Sequence, residues 1–281
     1  MKSRPEVQGG PRGDVARSAT VIDLLTGRTL LTQAGSAERS TASVPKLLVL
    51  VELAARIEHD PAEATRLLDR RGVEPVGDSG LWQHLGVDEL AVDDVARLVG
   101  AVSDNLATNV LINHIGLQAI ASRGSKLNMT VTELHDIVRD HRAAPAPKRL
   151  STGSSDDLAR LMAWLYNDRS AVGPRVLEWM SHSVDLSMVA GAFGLDPLSH
   201  GCLADRGFEI WSKTGTDDGV RADVGIVKHG NAALAYAAIA NWSPSGLDHE
   251  RDDVLASMDR FGTQLRSIVE GRALTDPLAF G

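Results

Sequence analysis

The spacing of apolar and polar positions along this chain changes period three times. Near the start, 19–24 and 29–32 are short apolar-rich runs on either side of Thr26-Gly27, the pattern of a β-hairpin. The period then becomes helical. Apolar residues recur every three or four positions over 44–58, 92–102, 106–115 and 156–166, with Ser154-Ser155 as caps before the last. Strand runs return at 208–213, 221–227 and 233–241, and a helix is predicted over 252–270. The order strands, helices, strands, helix predicts a two-lobe α/β (α+β) fold. Residues 16–37 and 192–281 would form an α/β lobe, residues 38–191 an inserted all-helical lobe, and residues 1–15 a polar tail. A cleft is expected where the lobes meet. No internal repeat interrupts this order, and 142–149, with Pro145 and Pro147, is the clearest irregular loop.

Composition narrows the function classes. A chain of 281 residues, 43% of them hydrophobic, can bury a substantial core in one unit. The net charge of −8, without a Lys/Arg-rich stripe, argues against nucleic acid and against a polybasic membrane contact. No run approaches the ~18 apolar residues of a membrane-spanning helix. The single cysteine, Cys202, excludes an internal disulfide and reads as buried or incidental. The nine histidines show no metal-ligand spacing, and Asp88, Glu89, Asp93 and Asp94 read as a helix start with its solvated face. No phosphate-binding glycine motif is present, so neither metal nor cofactor is expected. Trp82 is a candidate for the cleft rim, although a lone aromatic more often packs inside. The polar, Gly/Pro/Arg-rich start lacks an apolar export segment. The expectation is a cytoplasmic monomer acting on a small molecule, or a secreted or periplasmic one if a leader preceded it.

Three strings carry chemistry: Ser43-Val44-Pro45-Lys46, Ser103-Asp104-Asn105 and Lys213-Thr214-Gly215. Singly they read as a helix cap, a second cap, and a strand running into a turn. Ser43 and Lys46 are three residues apart, which on a helix puts them on one face within hydrogen-bond reach. Pro45 suits a first helical turn. Ser43 would then sit at a helix N-terminus, where its own N–H can serve a developing oxyanion. A lysine acts as a base only when neutral, so Lys46 needs burial or a neighbouring cation, and Lys213 could be that cation.

Together the strings resemble the S-x-x-K, S-D-N and K-T-G set of class A β-lactamases and penicillin-binding proteins. The resemblance runs from about residue 16 to 270 and implies their fold, an antiparallel sheet flanked by helices plus an inserted helical lobe. It also implies an acyl-enzyme mechanism. Ser43 would be the nucleophile, Lys46 its base and Ser103 the proton relay to the leaving group. Asn105 would bind a substrate amide and Lys213 a substrate carboxylate. Thr214, Gly215 and Thr216 would lie along the site, with Thr216 supplying the second oxyanion N–H, and Arg221 would be a second carboxylate contact. One departure stands out. The glutamate that activates deacylating water in class A enzymes falls on Val138 or Arg139, in the stretch Leu134-His135-Asp136-Ile137-Val138-Arg139-Asp140-His141. His135, Asp136, Asp140 and His141 are stand-ins to weigh against plain loop polarity. Three functions follow: a β-lactamase-like serine hydrolase with impaired deacylation, an intracellular biosynthetic esterase, amidase or acyltransferase, and a β-lactam- or ligand-binding protein without turnover.

Overall fold

The computed structural model describes residues 14–198, 206–243 and 249–281, so Cys202 and most of the polar tail lie outside the described residues. In chain order the strands are β1 (Ala16–Asp23), β2 (Thr29–Gln33), β3 (Arg39–Ser40), β4 (Leu67–Asp69), β5 (Glu89–Ala91), β6 (Glu133–Leu134), β7 (Ser151–Gly153), β8 (Phe208–Asp217), β9 (Val220–His229) and β10 (Ala232–Asn241). The α-helices are α1 (Lys46–His59), α2 (Val92–Val102), α3 (Asn105–Ile115), α4 (Leu117–Lys126), α5 (Ser155–Asn167), α6 (Val172–Met180) and α7 (His249–Val269).

Both ends of the chain meet in one antiparallel sheet of order β2-β1-β10-β9-β8. The first strand pairs with the last along its whole length, from Ala16 opposite Asn241 to Asp23 opposite Leu234. Two apolar layers cover this sheet, which explains why β10 is apolar at nearly every position instead of alternating. On one face Ala222, Val224, Ile226, Ala235, Ala237 and Ile239 join the core of the inserted helices. On the other Val227, Leu234, Tyr236, Ala238 and Ala240 pack with Val254, Met258, Phe261 and Leu265 of α7.

Within the inserted span α1 is the central element. Every residue from Lys46 to Val51 is buried, the signature of a helix surrounded by protein. The other predicted helices and strands are present with ends displaced by up to four residues in either direction, whereas α4 and α6 have no counterpart in the expected elements. The α4 segment is rich in polar and small residues, and α6 begins Val172-Gly173-Pro174, which resembles a loop until proline is placed in a first helical turn. Gly173 is needed there because a Cβ would run into the Leu165 carbonyl oxygen. Two minor ribbons, β3-β7-β6 and β4-β5, also cross the helical span. Their strands of two or three residues are too short to show a period. Trp82 is fully buried, and its indole N–H donates to the Val87 carbonyl at 2.9 Å, so it packs in the core and does not reach the cleft rim.

Two polar anchors position the segments that form the cleft. Asn241 accepts from Ser40 N–H at 2.8 Å and donates to Ser40 O at 3.0 Å, tying the end of β10 to the segment leading into Ser43. Asp157, with no exposure, accepts the N–H groups of Thr130, Val131 and Thr132 and pairs with Arg160. Replacing Asp157 with Ala leaves those donors buried without partners, so a loss of about 2–4 kcal/mol is expected. Urea unfolding of Asp157→Ala tests this, and a loss under about 0.5 kcal/mol would show that the loop finds other partners.

Candidate active site

The approach to α1 is a tight turn with three-residue hydrogen bonds. Val44 N–H donates to Thr41 O, Lys46 N–H to Ser43 O and Leu47 N–H to Val44 O. Residues i and i+3 eclipse in such a turn, so Ser43 and Lys46 share a face although α1 begins only at Lys46. Ala42, immediately before the serine, has φ of 48° and is nearly fully buried. Its carbonyl is held by Ser151 Oγ at 2.7 Å, and this contact fixes a backbone conformation that a non-glycine residue adopts only at a cost. The Ser43 hydroxyl has no hydrogen-bond partner among the described residues and lines both cavities of the cleft. Gly215 closes over it. A Cβ there would overlap the Thr41 carbonyl oxygen and come within 3.2 Å of the Ser43 nitrogen, so only glycine lets β8 approach this closely.

Ser103 arrives from the other side, as the left-handed C-cap of α2 with φ of 56°. Asp104 makes that conformation part of a larger junction. Its carboxylate caps α3 by accepting Ala107 N–H at 2.8 Å and also accepts Leu81 and Trp82 N–H at 2.7 and 2.8 Å. Ser103 is thereby held between two lysines. Lys46 Nζ lies 2.7 Å from Ser103 O, 2.7 Å from Asn105 Oδ1 and 3.2 Å from Ser103 Oγ. Lys213 Nζ donates to the same Ser103 Oγ at 2.8 Å and to Thr214 O at 2.8 Å.

Both ammonium groups are buried, and that decides their protonation. Burial, followed by repulsion from Lys213, pushes Lys46 well below the ordinary lysine range, against the attraction of Asp104 and Asp78. A neutral amine has two N–H bonds and one lone pair. In that form Ser103 O and Asn105 Oδ1 would take the two protons, and the lone pair would face Ser103 Oγ at 3.2 Å. Lys213 is lowered to about 8 by burial, with Asp185 and Asp223 opposing the shift, so it is still largely charged at neutral pH.

Behind β8, Asp223 stands opposite Thr214 in register. Fully buried, it is pushed up to about 7 by desolvation and accepts from Tyr236 Oη and Val189 N–H, both at 2.9 Å.

The loop before α5 is held by a residue that the sequence reading missed. Asn109 donates from Nδ2 to Val138 O at 2.9 Å and accepts Val138 N–H at Oδ1 at 2.8 Å, clamping that peptide to α3. The signal available was its position, four residues after Asn105 on the same helix face. Of the two positions predicted for the missing glutamate, Val138 is the clamped, buried one, whereas Arg139 turns to Asp136 at 2.8 Å. Asp136 also binds Arg142 at 3.0 Å. Burial would raise its pKa, but these partners hold it below the carboxylate range. His135 bonds Thr152 at 3.0 Å, and Asp140 accepts Gly77 N–H at 2.8 Å at the rim of the wider cavity.

The cleft has two parts. A narrow one of about 110 Å³ is lined by Ser43, Ser103, Asp185, Lys213, Thr214 and Thr216, and a wider one of about 380 Å³ by Ser43, Asn105, Val138, Asp140, Thr216 and Arg221. Arg221 donates to Asp217 O at 3.1 Å and Val220 O at 2.7 Å, and its guanidinium lies 5.9 Å from the Trp242 ring centre.

An antiparallel sheet with inserted helices and a cleft holding these strings is the architecture of the class A β-lactamases and penicillin-binding proteins. The β-lactamase enzyme family model matches residues 12–259, and the chain belongs to that family. Among solved structures it is similar to a β-lactamase from Sphaerobacter thermophilus, with 23% identity, 92% of each chain covered and a TM-score of 0.74. It is also similar to the L158E mutant of PBP-A in an acyl-enzyme complex with penicillin G, with 21% identity, 92% of this chain and 91% of that one covered, and a TM-score of 0.75. A chromosome-encoded β-lactamase of Vibrio parahaemolyticus matches at 17% identity, 92% and 95% coverage and a TM-score of 0.72. Among curated protein sequences there is no match. No described helix is long and apolar enough to cross a membrane.

Lys213 gives a pH test with a fixed sign. Its folded pKa of about 8 lies below the ordinary 10.5, so its burial penalty is fully present below pH 8 and disappears as pH rises toward 10.5. At roughly 1.4 kcal/mol per pH unit the penalty is at most about 3 kcal/mol. Lys213→Met should therefore be more stable than the parent at pH 7, with the advantage shrinking between pH 8 and 10.5. Urea unfolding at several pH values measures it, and an advantage that grows with pH would contradict the assignment.

Proposed function

We propose that this protein is a serine acyl-enzyme hydrolase of the β-lactamase type whose acylation outruns its deacylation. The observation that carries the reading is the Ser103 hydroxyl shared by two buried lysines in a cavity also lined by Ser43, whose hydroxyl has no hydrogen-bond partner among the described residues. Ser43 Oγ attacks an amide or ester carbonyl while its proton passes to the Lys46 lone pair. The Ser43 N–H and a backbone N–H of β8 at Thr216 stabilise the oxyanion. Lys213, by donating to Ser103 Oγ, turns the Ser103 hydroxyl proton toward Lys46 or a leaving nitrogen, so Ser103 relays the proton that expels it.

Deacylation needs a second base, and the loop is poorly equipped to provide one. Val138 occupies the clamped position with an aliphatic side chain. Asp136 is consumed by two arginines, and a carboxylate held at a low pKa is a weak base. Asp140, on the wider cavity, is the remaining carboxylate of the loop that lines the cleft. The relative captured as a penicillin G acyl-enzyme supports the idea that this architecture can hold such an adduct. Loss of turnover also keeps a second reading open, in which an acceptor other than water takes the acyl group and the protein is an acyltransferase.

Intact-protein mass spectrometry during incubation with benzylpenicillin and with neutral esters tests the proposal. An adduct should accumulate on Ser43, and Ser43→Ala should abolish it, with any turnover falling on the order of 10³-fold or more. Labelling that survives in Ser43→Ala would refute the nucleophile. Val138→Glu should shorten the adduct's lifetime only partly, because the flanking loop residues stay unchanged. Rapid substrate consumption without adduct in the parent protein would instead identify an existing base, with Asp140→Asn the first variant to examine.

A further inference from the structure

The corner of the cleft where the family resemblance would place a substrate carboxylate already contains one. Asp185 lines the narrow cavity together with Lys213 and Thr214. It is fixed from both directions. Its Oδ1 accepts Ser187 N–H at 3.2 Å and Ser187 Oγ–H at 2.6 Å. One residue earlier, Val184 N–H donates to Ala101 O at 3.1 Å, and four residues later Val189 N–H is bound by buried Asp223. The segment therefore runs past the exposed edge of β8 with both ends pinned, and Asp185 cannot swing away without breaking it. Burial would raise the Asp185 pKa, but the bonds from Ser187 and the nearby charge of Lys213 keep it below the carboxylate range, so it remains an anion.

The remaining charges do not offset it. The narrow cavity is lined by one ammonium, Lys213, against two carboxylates, Asp185 and Asp78. Lys213 already spends two of its three protons on Ser103 Oγ and Thr214 O. Arg221 lines the wider cavity and is engaged by Asp217 O and Val220 O. A carboxylate on an acyl donor would enter beside Asp185 and face its charge across a buried, weakly screened gap.

We propose that Asp185 is a specificity determinant that stands in for a substrate carboxylate, so that the cleft selects amides or esters carrying no negative charge beside the scissile carbonyl. The inference rests on the acyl-enzyme reading of Ser43, but it concerns ligand charge and can be measured without chemistry. Benzylpenicillin, its methyl ester and its 2-(diethylamino)ethyl ester share one β-lactam and differ at this group in being anionic, neutral and cationic. Acylation of Ser43 by the two esters should exceed that by benzylpenicillin about tenfold or more, the factor that each ~1.4 kcal/mol of discrimination gives. Asp185→Asn keeps the side chain's size and an acceptor for Ser187 while removing the charge, and should raise the benzylpenicillin-to-methyl-ester rate ratio about tenfold or more. Calorimetric Kd values for the three compounds on Ser43→Ala should follow the same order.

Faster acylation and tighter binding by benzylpenicillin, an unchanged ratio in Asp185→Asn, or no binding of any of the three would overturn the proposal. Discrimination present in Kd on Ser43→Ala, with no adduct on the parent protein, would remove the acyl-enzyme reading and leave the charge preference standing. Acylation of Ser43 at equal rates by all three would do the reverse.

Discussion

Two lysines sharing one serine hydroxyl inside protein is the interaction around which this molecule is organised. Each buried ammonium carries a desolvation cost of several kcal/mol, and like charges bridged by one oxygen add repulsion. The arrangement is eased because burial lowers the pKa of both, and repulsion from Lys213 lowers that of Lys46 again. Lys46 opens a helix whose first turns are buried and is lowered well below the ordinary lysine range, while Lys213, at about 8, is supported by Asp185 and Asp223. Unequal environments thus set two identical side chains to different pKa values, which is the general way a site obtains opposed proton roles.

Holding that bridge requires three segments from distant parts of the chain to meet within hydrogen-bond distance, and the supporting structure reflects it. The turn at Ser43 is tied to β10 through Asn241 and to β7 through Ser151. The Ser103 turn is tied to Leu81 and Trp82 through Asp104. Lys213 lies on an edge strand that can approach Ser43 only because Gly215 has no side chain. Two non-glycine residues with positive φ, Ala42 and Ser103, flank the bridge, and such conformations survive where surrounding contacts over-determine them. In both cases the fixing bonds are visible: Ser151 on the Ala42 carbonyl, and Lys46 with Ser79 on the Ser103 carbonyl.

Much of this was legible in the sequence, for a physical reason. Strongly periodic helices such as α2 and the paired strands β8 to β10 announce themselves because burial on a defined face demands a repeat. Ser43, Lys46, Ser103 and Lys213 could be nominated because their residue types and order resemble a known set. What stayed hidden depends on geometry between segments with no shared period. Asp185 follows α6 in a stretch of mixed polarity, and nothing in Ser183-Val184-Asp185 indicates that it will cross the edge of β8 beside Thr214. Asn109 resembles any polar residue on a buried helix until Val138, twenty-nine positions away, is placed against it. The pairing of Asp136 with Arg139 and Arg142 could have been suspected from spacing, but its consequence depends on all three converging.

The clamp on Val138 bears on how acylation and deacylation separate. Asn109 binds the backbone of that residue through both its carbonyl and its N–H, so the loop's position is set without reference to the side chain attached. A position whose geometry is fixed by main-chain hydrogen bonds can exchange a base for an aliphatic group without moving the wall of the cleft. Among the described residues α1, α2 and β8 make no hydrogen bond to Val138, whereas α3 carries both Asn105, bound to Lys46, and Asn109, bound to Val138. The clamped loop and the pair of lysines are thus joined through one helix, and a side-chain exchange at Val138 leaves the contacts of Lys46, Ser103 and Lys213 in place.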